Sequence, residues 1–238
     1  MNTAIIVAAG SGKRFASDIP KQFLHILGKP VIIHTLERFE ASAEIAELIL
    51  VLAASEIEAF KTTASNYSLT KLVNIVPGGN TRAESVFNGF QVADNRTELI
   101  VVHDGARPLV SIDEIAATVL KAEETGAACL VASITDTIKQ VSGNQIIGTL
   151  DRSNLRRALT PQAFRYEILE KALEGSDLGE DVTDECFLVE KIGQKIAFVE
   201  GSSKNIKITH AEDLVIAEAF MKVLTSNFSL SSCQNREQ

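Results

Sequence analysis

"IIVAAGSGKRFASDIPKQF", residues 5–23, decides the fold. An apolar run stops at Ala8-Ala9-Gly10 and gives way to a basic, glycine-bearing loop. Open α/β sheets present their ligand sites in this way, at the C-terminal ends of buried strands. Two standard phosphate motifs fail here. A P-loop ends in Gly-Lys-Ser/Thr, and Arg14 follows Gly12-Lys13. The dinucleotide fingerprint needs a third glycine, and Phe15 stands in its place. What remains is a Gly10/Gly12 backbone open to close approach, with Lys13, Arg14 and, after a Pro20 turn, Lys21 around it.

Working outward, short β-branched runs alternate with helical patterns. Residues 4–7, 48–52, 73–76, 99–102 and 129–132 read as buried strands. Helix patterns lie near 30–40, 55–65, 81–93 and 111–125, with Ser55 and Ser111 as N-caps and Gly126 as a stop. Such alternation predicts a three-layer α/β fold on a mostly parallel sheet. It breaks after residue 133. Residues 137–141 and 145–150, joined by Ser142-Gly143-Asn144, read as a hairpin within an arm spanning about 134–155. A lone hairpin is marginal in water and needs a surface to lie against. Helices near 164–174 and 182–192, a strand at 195–200 and a helix near 211–224 follow, the last capped by Thr209 or His210. Residues 1–224 read as one domain, and the Ser-, Asn- and Gln-rich tail 225–238 as disordered.

Composition narrows the function. With 45% hydrophobic and 23% charged residues, the 238-residue chain is of globular type. A net charge of −8 argues against nucleic acid as a partner, so any anion site must be a local cluster of Lys and Arg. No apolar run is long enough to span a bilayer. Cys129, Cys186 and Cys233 are odd in number and lack metal-ligand spacing, which points to the cytoplasm.

Four further stretches carry candidate polar groups. In "VVHDGARP" (101–108), Asp104 could hold a magnesium ion or a ribose hydroxyl, or simply cap a turn, and Arg107 could fork onto a phosphate. His103 reads as structural rather than as a base, given its place in the strand alternation. In "PGGNTRAESV" (77–86), Gly78-Gly79 admits a flat base against the backbone, with Asn80 or Ser85 at its edge; Asn80 or Thr81 could equally cap the helix. Later, Arg152, Arg156, Arg157 and Lys207 could bind an anionic substrate.

Taken in order, these stretches resemble one family. They are Ala8-Ala9-Gly10-x-Gly12-x-Arg14, Pro20-Lys21-Gln22, Gly78-Gly79-x-x-Arg82-x-x-Ser85, His103-Asp104-x-Ala106-Arg107-Pro108, Asp136-Thr137, Asp151-Arg152, Leu159-Thr160-Pro161-Gln162, Thr183-Asp184-Glu185 and Asn205-Ile206-Lys207-Ile208-Thr209. The set is similar to the 2-C-methyl-D-erythritol 4-phosphate cytidylyltransferases. The resemblance implies a Rossmann-like, glycosyltransferase-A type nucleotidyltransferase fold with a projecting β-arm, a homodimer through that arm, and Mg2+ as cofactor. It implies transfer of CMP from CTP to methylerythritol phosphate with release of pyrophosphate. On this likeness Arg14, Lys21, Arg152 and Lys207 would be catalytic, and Ala8, Ala9, Gly10, Gly79, Ser85 and Asp104 would bind the nucleotide. Asp104, Arg107, Thr137, Arg152, Thr160, Thr183 and Lys207 would contact or position the polyol phosphate, with Asp104 as the metal residue. A sister enzyme acting on ribitol 5-phosphate shares part of the pattern, as would a non-catalytic CTP-binding protein. The Ala8-Ala9-Gly10 start and the His103–Pro108 stretch favour the first, and keeping both Arg14 and Lys21 argues against the last.

Overall fold

The computed structural model describes residues 1–10 and 20–234, with side chains as far as Val223. Its centre is a seven-stranded sheet. The strands are β1 (Asn2–Ala8), β4 (Glu47–Leu52), β5 (Leu72–Pro77), β6 (Leu99–Asp104), β7 (Ala127–Ser133), β10 (Arg156–Arg165) and β11 (Ala197–Glu200), in spatial order β11-β7-β10-β6-β1-β4-β5. β10 runs antiparallel to both its neighbours, and the other pairings are parallel.

Helices cover both faces because the central strands are apolar on both. Along β1, Ala4, Ile6 and Ala8 join one core with α1 (Val31–Ala41), α2 (Ile57–Ala64) and α4 (Ile112–Thr125). Ile5, between them, joins the opposite core with α3 (Arg82–Phe90), α5 (Tyr166–Leu173) and α6 (Glu185–Lys191). Fully burying an isoleucine is worth roughly 1.5–3 kcal/mol, so β1 is fixed from both sides at once. From β1 the chain lays β4 and β5 to one side and β6 to the other. That reversal opens a crevice at the strand ends, where such sheets bind ligands.

The caps follow the expected chemistry in part. Ser111 and Glu114 form a reciprocal capping box on α4, and Gly126 ends that helix at φ 87°. Ser55 does not cap: it lies in a 3-10 turn, Ala54–Glu56, that feeds α2 without a side-chain bond. The final helix, α7 (Ala211–Gln234), is led in by Asp213, whose carboxylate accepts from the Thr209 and His210 amides. Its helical backbone is described as far as Gln234, past residue 224 where the expected helix ends. No Gly or Pro interrupts 211–234, and composition alone had suggested a break.

Two elements escape the sequence pattern. A small hairpin, β2 (His25–Ile26) with β3 (Lys29–Pro30), turns through Leu27 and Gly28, both at positive φ. β10 is the larger surprise, because its segment read as a basic stretch followed by a helix. Pro161 and the polar Arg156, Arg157 and Gln162 hide the strand, and a register shift between Ala158 and Gln162 accommodates the proline. Between β7 and β10 the chain leaves the body as the expected arm, β8 (Lys139–Ser142) paired with β9 (Gln145–Thr149). Its Val141 and Ile146 are 62% and 66% exposed.

Candidate active site

A cleft of about 530 Å³ lies at the C-terminal edge of the sheet. One wall is the end of β1, Ala8-Ala9-Gly10, continued by Lys21 and Gln22. Gln22 is buried, and its amide donates to the Ala8 carbonyl at 2.9 Å, tying the far side of the basic loop back to the strand. Arg14, with the rest of residues 11–19, lies outside the described residues.

The second wall is the turn from β5 into α3, with Gly79, Asn80, Thr81, Arg82 and Ser85. Gly78 lets the two walls meet: a Cβ there would sit 2.2 Å from the Ala9 Cβ. Of the two possible caps, Thr81 is the one used; its hydroxyl accepts from the Glu84 amide.

The floor is the end of β6. Asp104, 6% exposed, holds three cations: Arg82 Nε at 3.1 Å, Arg107 Nε at 3.1 Å and Lys207 Nζ at 3.0 Å. Arg82 turns its terminal nitrogen onto both oxygens of the fully buried Glu185, at 2.7 and 3.0 Å. Burial opposes ionisation of Asp104, but Arg82, Lys207 and Arg107 prevail and keep its carboxyl well below the usual range. Burial pushes the Glu185 carboxyl up, against the pull of Arg82. With both carboxylates ionised, three cations less two anions leave the cluster at +1. Lys207 and Arg82 line the cleft, so that charge faces it.

His103 sits behind this floor, wholly buried. Nε2 meets the Arg107 carbonyl at 3.2 Å, so it carries the proton, and Nδ1 accepts from the Thr160 hydroxyl at 3.0 Å. The Asp104 amide donates in turn to Thr160 Oγ1. With both nitrogens engaged and no path to the cleft, His103 is structural. Burial lowers its pKa to about 3. The unfolded chain takes up this proton near pH 6.5 and the native one does not, so stability is lost as pH falls through that window. The wild type is expected to lose about 1.4 kcal/mol more per pH unit than His103→Gln between roughly pH 6 and 4.5. Urea titrations across that range measure it, and equal slopes would contradict the assignment.

The cleft therefore gathers Ala8, Ala9, Gly10, Lys21, Gly79, Ser85, Asp104 and Lys207. Arg107 and the buried Thr160 stand behind Asp104 and orient it. Thr183 is exposed, just before the α6 cap Asp184. Thr137 and Arg152 lie on the exposed arm, where Arg152 donates to the Thr135 carbonyl. Arg156 pairs with Glu200 at 3.0 Å. Sequence reasoning gave no role to Arg82, Glu185 or Gln22. A signal for Arg82 was present, since a cation in the first turn of a helix opposes the helix dipole and calls for a carboxylate partner.

Comparison with known proteins agrees with this architecture. A sequence model of the family "IspD: 2-C-methyl-D-erythritol 4-phosphate cytidylyltransferase" matches residues 2–223. The chain is 41% identical to the enzyme so named from Bacillus velezensis, over 95% of this chain and 98% of that protein. It is 42% identical to that from Bacillus licheniformis, over 95% and 99%. The crystal structure of the Francisella tularensis enzyme is 36% identical and superposes with a TM-score of 0.76, covering 91% of this chain and 97% of that one. The 4-diphosphocytidyl-2C-methyl-D-erythritol synthase of Anaerococcus prevotii superposes at 0.82 with 29% identity, over 93% and 96%. With the family matched from end to end of the cleft-bearing sheet, the chain belongs to the 2-C-methyl-D-erythritol 4-phosphate cytidylyltransferases.

Proposed function

We propose that the cleft transfers the cytidylyl group of CTP to 2-C-methyl-D-erythritol 4-phosphate and releases pyrophosphate. The observation that carries this is the net-positive Asp104 cluster facing the same cleft as Lys21 and the glycine-bearing end of β1. The acceptor's phosphate monoester, with a second pKa of about 6, arrives already ionised. It needs no general base, and the neutral, buried His103 cannot act as one. The obstacle is bringing an anion onto a polyanion, so the chain's contribution is placement and fixed positive charge. Lys21 and Arg14 serve the triphosphate; Lys207 serves the incoming phosphate, with Arg107 holding Asp104 behind it. Pyrophosphate release with CTP plus methylerythritol phosphate, and separately with ribitol 5-phosphate, tests the reading. Turnover confined to ribitol 5-phosphate, or to neither, overturns it.

Magnesium fits this site as an ion with one protein ligand. Three cations already occupy three of the roughly four lone-pair directions of Asp104. Among the described residues no group of three His, Cys, Asp or Glu side chains converges to hold a metal. Asp104 would give one oxygen, and phosphates and water the rest, as Mg2+ commonly accepts. Bound there, the ion supplies neutralisation of phosphate charge.

The exposed Val141 and Ile146 favour a homodimer in which the arm is covered by a second copy, carrying Thr137 and Arg152 to the partner's cleft. Lys21→Ala and Arg152→Ala chains, unfolded and refolded together in equal amounts, then regain roughly a quarter of native activity, since half the dimers are mixed and each has one intact site. No recovery, with mixed dimers verified by mass spectrometry, rejects the shared site. No helix among the described residues is long and apolar enough to cross a membrane, and the three cysteines suit a cytoplasmic enzyme.

A further inference from the structure

Arg82 is held at two points and left open at a third. Its Nε donates to Asp104 at 3.1 Å, and its Nη1 to both oxygens of Glu185 at 2.7 and 3.0 Å. A guanidinium is planar, so two fixed nitrogens set the direction of the remaining one. Nη2 has no acceptor among the described residues. Arg82 lines the cleft and its side chain keeps 22% of its surface open, so the unused edge has the cleft to face.

The support behind Arg82 comes from a distant segment. Glu185 is fully buried in the first turn of α6. That turn is pinned to β10 by Gln162, which donates to the Asp184 carboxylate at 2.9 Å and accepts from the Cys186 amide at 3.3 Å. Glu185 stands between these two residues, so its backbone is fixed on both sides. Net stability does not account for such a pair. Desolvating two charges offsets much of their attraction, and apolar replacements of similar volume often do as well or better. What the pair provides is a cation with a set direction, and a donor held in advance is what stabilises charge developing on phosphate oxygens.

On the reading above, the incoming phosphate meets Lys207 and the triphosphate meets Lys21. Lys207 and Arg82 share the Asp104 carboxylate, whereas Lys21 lies on the other wall. In the transfer, an oxygen of the incoming phosphate bonds to the α-phosphorus while the bond to the bridging oxygen breaks, and pyrophosphate leaves with that electron pair. The α-phosphoryl is thus the nucleotide phosphate that comes nearest to Arg82. We propose that Arg82 is a further catalytic residue, its Nη2 donating to a non-bridging oxygen of the α-phosphoryl group, and that Glu185 is the positioning residue that aims it. The inference rests on the cytidylyl-transfer reading and adds to it a donor for the group under attack.

The test uses the two diastereomers of CTP α-phosphorothioate, in which sulfur replaces one or the other non-bridging oxygen. Sulfur is a weak acceptor, so the isomer that turns sulfur toward Arg82 loses the contact in the wild type and has none to lose once the donor is gone. The ratio of kcat/KM for the two isomers is measured in the wild type, Arg82→Lys and Glu185→Gln. It is expected to shift about 10-fold or more in Arg82→Lys, the worth of one charge-assisted hydrogen bond, and in the same direction by a smaller factor in Glu185→Gln. With CTP itself, kcat of Arg82→Lys is expected to fall about 10²-fold while KM changes far less. Each ratio is taken within one preparation and is independent of the fraction folded; should Arg82→Lys not fold, the near-isosteric Glu185→Gln decides. Ratios within about twofold of wild type show that the pair only holds the cleft in shape, and overturn the proposal. A wild type that makes no pyrophosphate from CTP fails before any variant is compared, and overturns the functional reading together with the proposal.

Discussion

Lys21→Ala is expected to lower kcat about 10²–10³-fold while changing KM for CTP far less. Lys21 lines the cleft directly after the Pro20 turn, in a 3-10 turn with Gln22 and Phe23. The buried Gln22 amide fastens that turn to the Ala8 carbonyl, and Phe23 packs on the core beneath α1 and α2. On the proposed reading the ammonium would stand where charge grows on the phosphates, and a group so placed stabilises the transition state without reorganisation. An overall charge of −8 gives the cleft no general attraction for anions, so local cations carry the effect. Arg14→Ala is expected to behave alike, from its place in the same loop. Steady-state kinetics with CTP varied decide it. Unchanged kcat with only a raised KM would show that Lys21 binds the nucleotide without favouring the reaction.

Asp104→Ala is expected to be the most destabilising change in the site, by about 3–5 kcal/mol, with activity lost in whatever folds. The substitution removes the shared anion of Arg82, Arg107 and Lys207 and leaves Glu185 alone against them. Uncompensated cations around a buried pocket cost more than the missing contact itself. Asp104→Asn keeps the shape and isolates the charge. Urea denaturation at neutral pH gives the value for each variant, and a loss under 1 kcal/mol for Asp104→Ala would contradict the picture of a buried cluster.

How far the sequence could be read follows from what each segment buries. β1, β4 and β6 are covered on both faces, so Ile5-Ile6-Val7, Leu48–Leu52 and Leu99–Val102 appear as continuous apolar runs. β10 lies equally deep, yet it presents Thr160 and Gln162 there because those side chains hold His103, Asp104, Cys186 and Asp184. Polar service to the site erased the strand pattern. The cleft's glycines and Asp104 were legible because each ends a strand. The Arg82–Glu185 pair was not, since 103 residues separate its partners and only the fold brings the first turns of α3 and α6 within reach of each other.

The central claim is that this cleft joins the α-phosphorus of CTP to a phosphate monoester, displacing pyrophosphate. Phosphorus-31 NMR of the purified chain with CTP, methylerythritol phosphate and magnesium tests it most directly. The account predicts that a diphosphate diester and free pyrophosphate grow together in equal amounts while both substrates decline. CDP with inorganic phosphate, CMP without a diester, or no change in the spectrum would contradict it.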